Sequence, residues 1–313
     1  MKQKLHQSLT FNVEGENIKV GRADVTCPVC NDGKDTDTAI YDFDSISIVK
    51  CSNCSTMHLK PMPDEESLKS IYNNNYYNDK EQVHGYYDYA AEVRSIEKTY
   101  SKRLKFVKEV LGLSVIRTAQ FHEIGCALGI GLSVINNEFS TLASGSDISK
   151  DAEQACKVKG FPFSRSDSLG RHNFGDRQKD IVLIFDVIEH LSDIQEFVAF
   201  LGDFVSENGY VVITTPNMDD PFNKLLGSRS PSIKIPQHTI YFTTDTLIKA
   251  LDERFVLVKS KRDYQYSPIS RIFERLSHIF GLKFKLLKRC NTDLLIPNGM
   301  SVYTFKKRPA FHG

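Results

Sequence analysis

The chain has 313 residues, long enough for about two domains with ample apolar core, and its composition gives no sign of disorder. Forty basic residues against 39 acidic ones leave a formal net charge of +1, which argues against a protein that coats itself in nucleic acid while leaving a local basic patch open. The amino-terminal MKQKLHQSLTFNVEGENIKV lacks an apolar h-region, and no apolar run approaches the roughly 20 residues that span a bilayer, so a cytoplasmic location is expected.

Four of the seven cysteines form two pairs, Cys27-Pro-Val-Cys30 and Cys51-Ser-Asn-Cys54, while Cys126, Cys156 and Cys290 are scattered. This is metal-site usage rather than a disulfide framework. Each CxxC turn presents two thiolates on one side, and two such knuckles complete a tetrahedral zinc site with no position left for substrate. A redox CxxC is the alternative, but it does not explain the doubling. In so small a segment the metal supplies much of the folding energy. With four cysteines present, His58 reads as a packing or surface residue. Residues 1–60 are therefore assigned to a zinc ribbon.

Residues 61–115 read as a Tyr-rich connector followed by a leading helix. Pro63 and the acids Asp64, Glu65 and Glu66 mark a helix start. Tyr72, Tyr76, Tyr77, Tyr86, Tyr87 and Tyr89 are concentrated behind it, as interdomain packing or as an aromatic wall over a pocket. Val93, Ile96, Tyr100, Leu104, Val107 and Leu111 then recur at helical spacing.

From about Thr118 strands alternate with helices. Candidate strands are 118–124, 141–146, 161–166, 180–186, 210–215, 255–260 and 299–306, a rhythm that predicts an α/β fold with a doubly wound sheet over residues 116–313. In DIVLIFDVIEHLSD (180–193) the β-branched run Ile181–Phe185 reads as a buried parallel strand whose carboxyl end delivers Asp186, Glu189 and His190. Ligands bind at that end of open α/β sheets.

FHEIGCALGIGL (121–132) puts a strand, a glycine turn and a helix start in succession. It is not the GxGxxG turn that pyrophosphate recognition requires, which demotes a nicotinamide cofactor. The next strand ends in Gly145-Ser146-Asp147-Ile148-Ser149, where the Asp147 carboxylate can accept both hydroxyls of a ribose or cap the following helix. Another ends in Ser166-Asp167-Ser168, placed for an adenine amino group.

Together the E-x-G-x-x-x-G loop, the acid-tipped strands, DVIEHL and GYVVITTPN (209–217) resemble the class I S-adenosylmethionine-dependent methyltransferases, in matching order over roughly residues 100–306. DVIEHL, TTPN and PQHTIYFTTDTL (236–247) look like the subfamily that includes ubiquinone-biosynthesis O-methyltransferases and glycan-pathway enzymes. The cysteine pairs and Tyr-rich segment look like the amino-terminal part of deoxysugar C-methyltransferases. Two features depart from these patterns. Ala127 stands where a glycine is frequent, and no counterpart of the C-methyltransferases' carboxyl-terminal domain follows Val302–Lys306.

The resemblance implies a Rossmann-like seven-stranded sheet with a small zinc ribbon, and S-adenosylmethionine as cofactor. Glu123 and Gly125 would line its methionine end, Asp147 its ribose, and Asp167 with Ser168 its adenine. Cys126, Gly129, Ile148 and Asp186 complete the expected cofactor set. His190 would be the catalytic base, oriented by Glu189 or Asp186, because an imidazole titrates near neutrality. In a second use of the same atoms, Asp186, Glu189, His190 and His238 would gather around Mg2+ or another divalent cation that binds vicinal hydroxyls. In a third, Glu189 and His190 merely cap the next helix, and His238 packs a loop.

The expected acceptor is a hydroxyl of a sugar, glycan precursor or other small metabolite. An RNA methyltransferase is the rival, since ribbons can hold RNA and KFKLLKR (283–289) is basic; yet Lys34, Lys50 and Lys60 lie among Asp32, Asp35 and Asp37. A sugar C-methyltransferase and a non-catalytic cofactor-binding scaffold are the remaining alternatives. The insertion NMDDPFNKLLGSRSPSIKIP (217–236) reads as a lid in which Arg229 and Lys234 could meet a phosphate. Ile269, Ile272, Phe273, Leu276, Ile279 and Phe280 form a helical stripe, read as core, interface or a lipid-touching surface.

Overall fold

The computed structural model describes residues 9–13, 16–20, 26–33, 37–43, 46–64, 68–69, 92–166, 178–273 and 292–309. The tyrosines from Tyr72 to Tyr89, Asp167, Ser168, Cys290, the stripe beyond Phe273 and the KFKLLKR run lie outside the described residues.

Strands β1 (Leu9–Val13) and β2 (Glu16–Val20) form an antiparallel pair. Strands β3 (Thr38–Phe43), β4 (Ile46–Lys50) and β5 (Met57–Lys60) then make an antiparallel meander around the second CxxC turn.

The main sheet is built from β6 (Phe121–Ile124), β7 (Ser144–Asp147), β8 (Phe163–Arg165), β9 (Lys179–Phe185), β10 (Val205–Pro216), β12 (Phe255–Pro268) and β13 (Asp293–Lys307). Its seven strands run in the order β12-β13-β10-β9-β6-β7-β8. Strands β8 through β10 in that row are parallel, whereas β13 is antiparallel to both its neighbours. All seven expected strands are present, and β12 and β13 outrun them because pairing continues from Tyr264 opposite Pro297 to Pro268 opposite Asp293.

The chain runs outward from β6 through β7 to β8, then crosses back to β9 on the other side of β6. That reversal leaves a crevice between the carboxyl ends of β6 and β9, where neighbouring connections depart in opposite directions. Both faces of the sheet are covered. Ile181, Leu183 and Phe185 pack into one core with Leu104, Phe106 and Val107 of helix α1 (Val93–Leu111), while Val182 and Ile184 pack into the other. Period-two alternation with both faces apolar explains why β9 reads as one continuous hydrophobic run.

Helix α2 (Leu113–Thr118) links α1 to β6, and α3 (Ile130–Phe139) and α4 (Lys150–Val158) connect the strands beyond it. Helix α5 (Ile194–Phe204) starts at Asp193, whose side chain accepts from Glu196 N, so the helix after β9 is capped by Asp193 and not by Glu189 or His190. Ser149 likewise caps α4 through Asp151 N, which removes the capping role from Asp147. Helices α6 (Pro221–Leu226) and α7 (Thr244–Leu251) follow β10, α7 with a reciprocal Thr243–Thr246 box.

The insertion after β10 is pinned at several points. Buried Asn223 donates from Nδ2 to Asn217 O and Gly299 O, and its Oδ1 accepts from Ser230 and Ser232. The Arg262 guanidinium grips Asp220 with two bonds of 2.6 and 3.0 Å. The insertion ends in the short strand β11 (Ile240–Tyr241), which adds to β5 and makes the ribbon meander a four-stranded sheet. No helix among the described residues is long and apolar enough to cross a membrane.

Candidate active site

Strand β9 ends in Asp186, held at φ 60° by the chain reversal, a left-handed conformation that Asp tolerates better than most residues. Its backbone N–H still donates to Thr214 O, and its carboxylate accepts from Thr214 Oγ1 at 2.5 Å. The Arg103 guanidinium of α1 spans Asp186 at 3.4 Å and Asp263 at 2.9 Å, with its carbon 5.1 Å from the Phe185 ring centre. Burial opposes the charge on Arg103, but the carboxylates of Asp186 and Asp263 outweigh it and raise its pKa. Lys102 joins the same network through Asp263. The Asp186 side chain stays 46% exposed, so it is presented at the crevice and not consumed by the core.

Glu123, at the end of β6, is fully buried. Its Oε1 accepts from the Tyr100 hydroxyl at 2.5 Å, while Oε2 has no hydrogen-bond partner. Burial pushes its pKa up to about 8, with the Tyr100 bond working in the opposite direction. A buried carboxyl oxygen without a partner costs free energy unless something fills the position. Two glycines keep this pocket open. A Cβ on Gly125 (φ 75°) would strike Val187, closing the gap between the two strand-end loops, and a Cβ on Gly131 would strike both the Tyr100 ring and the Glu123 carboxylate. Gly131→Ala is therefore expected to lower stability by about 1–3 kcal/mol and to weaken cofactor binding, checked by thermal denaturation and calorimetry.

Asp147 braces the glycine turn from the neighbouring strand. Its two oxygens accept from Ala127 N at 3.0 Å and Ser149 N at 2.9 Å. Ala127 takes φ 48°, the left-handed region where a glycine would be unstrained. Cys126 and Gly129 lie buried in the same turn, and Ile148 is half-buried beside it.

On the opposite face of β10 from Thr214, Thr215 Oγ1 donates to Glu189 Oε2 at 2.9 Å. Glu189, His190 and His238 are all buried, and one ligand atom from each lies within 4.8 Å of the others. Asp186 is not part of that grouping, so the expected four-residue cation set reduces to three. His190 Nδ1 lies 2.9 Å from Gln237 O and His238 Nδ1 lies 2.8 Å from Ser232 O. A carbonyl only accepts, so both Nδ1 atoms point a proton at a backbone oxygen, and the backbone of Asp186 is a second hydrogen-bond partner of the His190 ring. The rings meet edge to face with centres 4.7 Å apart. Burial drives His190 down to about 4 and His238 well below the usual imidazole range, while burial and then Asp186 push Glu189 up to about 8. Lys234, exposed on the insertion, adds positive potential at all three groups, whereas Arg229 lies exposed on the surface of the same segment.

The four ribbon cysteines also come together. Cys27 and Cys54 sulfurs lie 3.4 Å apart and those of Cys30 and Cys51 3.7 Å apart. A tetrahedral site with Zn–S near 2.3 Å places its sulfurs about 3.8 Å from one another. The two knuckles share one backbone pattern: Cys27 N donates to Asp32 O and receives Asn31 N on its own carbonyl, as Cys51 does with Thr56 O and Ser55 N. Asn31 and Ser55, at matching positions, both take positive φ. The donor set fits zinc. His58, buried at 0% exposure with Nδ1 on Leu59 O, is outside the metal grouping. Chelation is expected to expose the four thiols to a thiol reagent, with zinc released in step; thiols that react equally fast before chelation would refute the closed site.

A methyltransferase-domain family model matches residues 105–254, spanning both strand-end loops and the Glu189–His190–His238 cluster. Residues 105–254 carry a methyltransferase domain. Among solved structures, it is similar to a chain from the complex of the Haloferax volcanii Trm112 methyltransferase activator with its methyltransferase, at TM-score 0.51 and 12% identity, over 72% of this chain and 96% of that one. It is also similar to magnesium protoporphyrin IX methyltransferase from Synechocystis, with bound S-adenosylhomocysteine, at TM-score 0.49 and 12% identity, over 78% and 100% of the two chains. Curated protein sequences give no match.

Within this methyltransferase domain, the structure brings Glu123, Gly125, Cys126, Gly129, Asp147, Ile148 and Asp186 around one crevice and gathers Glu189, His190 and His238 beyond it. Tyr100, Arg103, Asp263, Thr214 and Thr215 belong to the same site and were not singled out as site residues in the sequence. The signal was an arginine inside the buried stripe Ser95, Thr99, Arg103, Val107, Leu111 of α1, where charge is unexpected unless paired.

Proposed function

We propose that this methyltransferase transfers a methyl group to a hydroxyl oxygen of a small, sugar-type metabolite, with His190 receiving the hydroxyl proton. The observation that carries the proposal is the buried grouping of His190 with Glu189 and His238 beside the end of β9, with the His190 ring held through Nδ1 by Gln237 O.

S-adenosylmethionine, when bound, supplies an electrophilic methyl on a sulfonium. Glu123 and the Gly125–Gly129 turn with Cys126 would hold its methionine end, with Glu123 Oε2 receiving the amino group, and Asp147 with Ile148 would hold the ribose. Asp186, fixed by Arg103 and Thr214, would complete the cofactor set. Asp167 and Ser168 remain the assignment for the adenine. The chain's own contribution is alignment and proton removal, since in-line displacement gains most from a near-attack geometry.

A second reading has support from the grouping of three donors within 4.8 Å. Two neutral imidazoles and a carboxylate, each imidazole fixed by a carbonyl behind it, suit a divalent cation with open positions. Such an ion would supply Lewis acidity to vicinal hydroxyls. Glu189, His190 and His238 would hold it.

Incubation with methyl-labelled cofactor and separate pools of hydroxylated sugars, sugar nucleotides and RNA tests the proposal. Label in a sugar hydroxyl supports it; label confined to RNA, or to a carbon of the sugar, overturns it.

A further inference from the structure

Three residues just before β11 join the ribbon's sheet to the catalytic cluster. Gln237 O receives His190 Nδ1–H, His238 contributes its own ring, and Thr239 N donates to Glu189 O at 2.8 Å. The buried Thr239 hydroxyl also lies 3.0 Å from Glu189 O and 2.6 Å from Leu191 O, so one residue clips the whole turn 189–191. Its remaining polar group faces the ribbon: Thr239 O accepts from Leu59 N at 2.9 Å, and the next two residues pair with His58 and Met57.

A second contact closes the clamp from the other end. The knuckle residues Cys27, Val29, Cys51 and Cys54 pack in one core with Ile188, Leu191 and Ile194, on either side of the cluster. Gln195, in the first turn of α5, donates its amide to Val29 O. The cluster therefore lies between two attachments to the ribbon, one through β5 and one through the first knuckle. A fold that used its ribbon only as a separate reading head would have no need to bury the cysteines against the catalytic turn.

We propose that Thr239 is a positioning residue through which the four-cysteine ribbon sets the geometry of Glu189, His190 and His238, so that methyl transfer depends on ribbon zinc although the zinc site is closed to substrate. The proposal rests on reading that cluster as the proton-removing site. Thr239 itself touches no reacting atom. Its hydroxyl and N–H fix the backbone of Glu189 while Gln237 O fixes the ring of His190, and a displacement of about 1 Å is enough to cost transfer rate.

The test compares Thr239→Val, Thr239→Ser and His190→Ala in the full chain. Valine keeps the shape and removes the hydroxyl; serine restores it. Thr239→Val is expected to lower kcat at least about tenfold, with zinc content retained and S-adenosylhomocysteine affinity within about twofold, and serine is expected to recover most of the loss. Nitrogen-15 NMR of the imidazoles gives a readout independent of acceptor: the His190 Nδ1–H signal should lose its exchange protection in the valine variant and in wild type after zinc is chelated. Unchanged ring signals after zinc removal would overturn the coupling. Full turnover in Thr239→Val beside an inactive His190→Ala would overturn the role of Thr239 and leave the catalytic assignment standing. Should His190→Ala itself retain wild-type turnover, the cluster is not the reacting site and the proposal falls with it.

Discussion

Glu123→Gln weakens S-adenosylhomocysteine binding about 10- to 100-fold at pH 8 and has almost no effect at pH 6: this is the expected result if Glu123 Oε2 receives the cofactor's amino group. The magnitude is that of a hydrogen bond to a charged group, about 1.5–3 kcal/mol. The pH contrast follows from burial, which lifts the free carboxyl to about 8. A cationic amino group prefers the ionised form, so below that pKa binding must expel a proton, and wild-type affinity rises with pH by up to about tenfold per unit before levelling off. At pH 6 the wild-type carboxyl is already neutral, and glutamine imitates it. Glutamine cannot ionise, so the variant's affinity stays flat across the same range. Calorimetry in buffers of different ionisation enthalpy would count the released proton directly. If wild type and variant show the same pH dependence, the amino group does not sit at Oε2, and the missing partner of that oxygen needs another explanation.

Glu123 illustrates which parts of the site the sequence discloses. A short buried strand, a glycine turn and an acid at the strand tip are local patterns, and chain order alone places them at the crevice. The same holds for β9, whose unbroken apolar run ends at Asp186, and for the cysteine pairs, whose spacing encodes their chemistry. Tyr100 and Arg103 are different. Helical spacing placed Tyr100 correctly on the inward face of α1, but its hydroxyl meets Glu123 only through the packing of α1 beside β6 and α3. Arg103 meets Asp263 across 160 positions of chain. No window of sequence holds both partners. Thr239 was hidden for the same reason, since its partners are backbone carbonyls that any residue would offer. The alternative of a helix cap fell at both places because competing side chains stood closer to the helix starts: Ser149 and Asp193 occupy the cap positions, which leaves Asp147 to the glycine turn and Glu189 to the cluster with His190 and His238.

His190→Ala is expected to lower turnover about 10²- to 10⁴-fold, the range of general base catalysis, while leaving S-adenosylhomocysteine affinity within about twofold, because the ring is not among the groups assigned to hold the cofactor. The direction is common to both readings of the cluster; the pH and cation dependence separates them. Burial holds the His190 ring near 4 and Glu189 near 8, so at neutral pH the free cluster contains a neutral imidazole and a largely neutral acid. If His190 works without a metal, it is unprotonated across the neutral range, and the rate should be insensitive to chelator after the ribbon zinc has been accounted for. It should fall only as pH drops toward 4. If a divalent cation is held there, Glu189 must lose its proton to bind it, and apparent cation affinity should rise by up to about tenfold per pH unit until about pH 8. Added Mg2+ or Mn2+ should then restore a chelated enzyme, and His238→Ala should raise the cation requirement. Activity that survives in His190→Ala at any pH and cation concentration would exclude both mechanisms, because each uses the His190 ring.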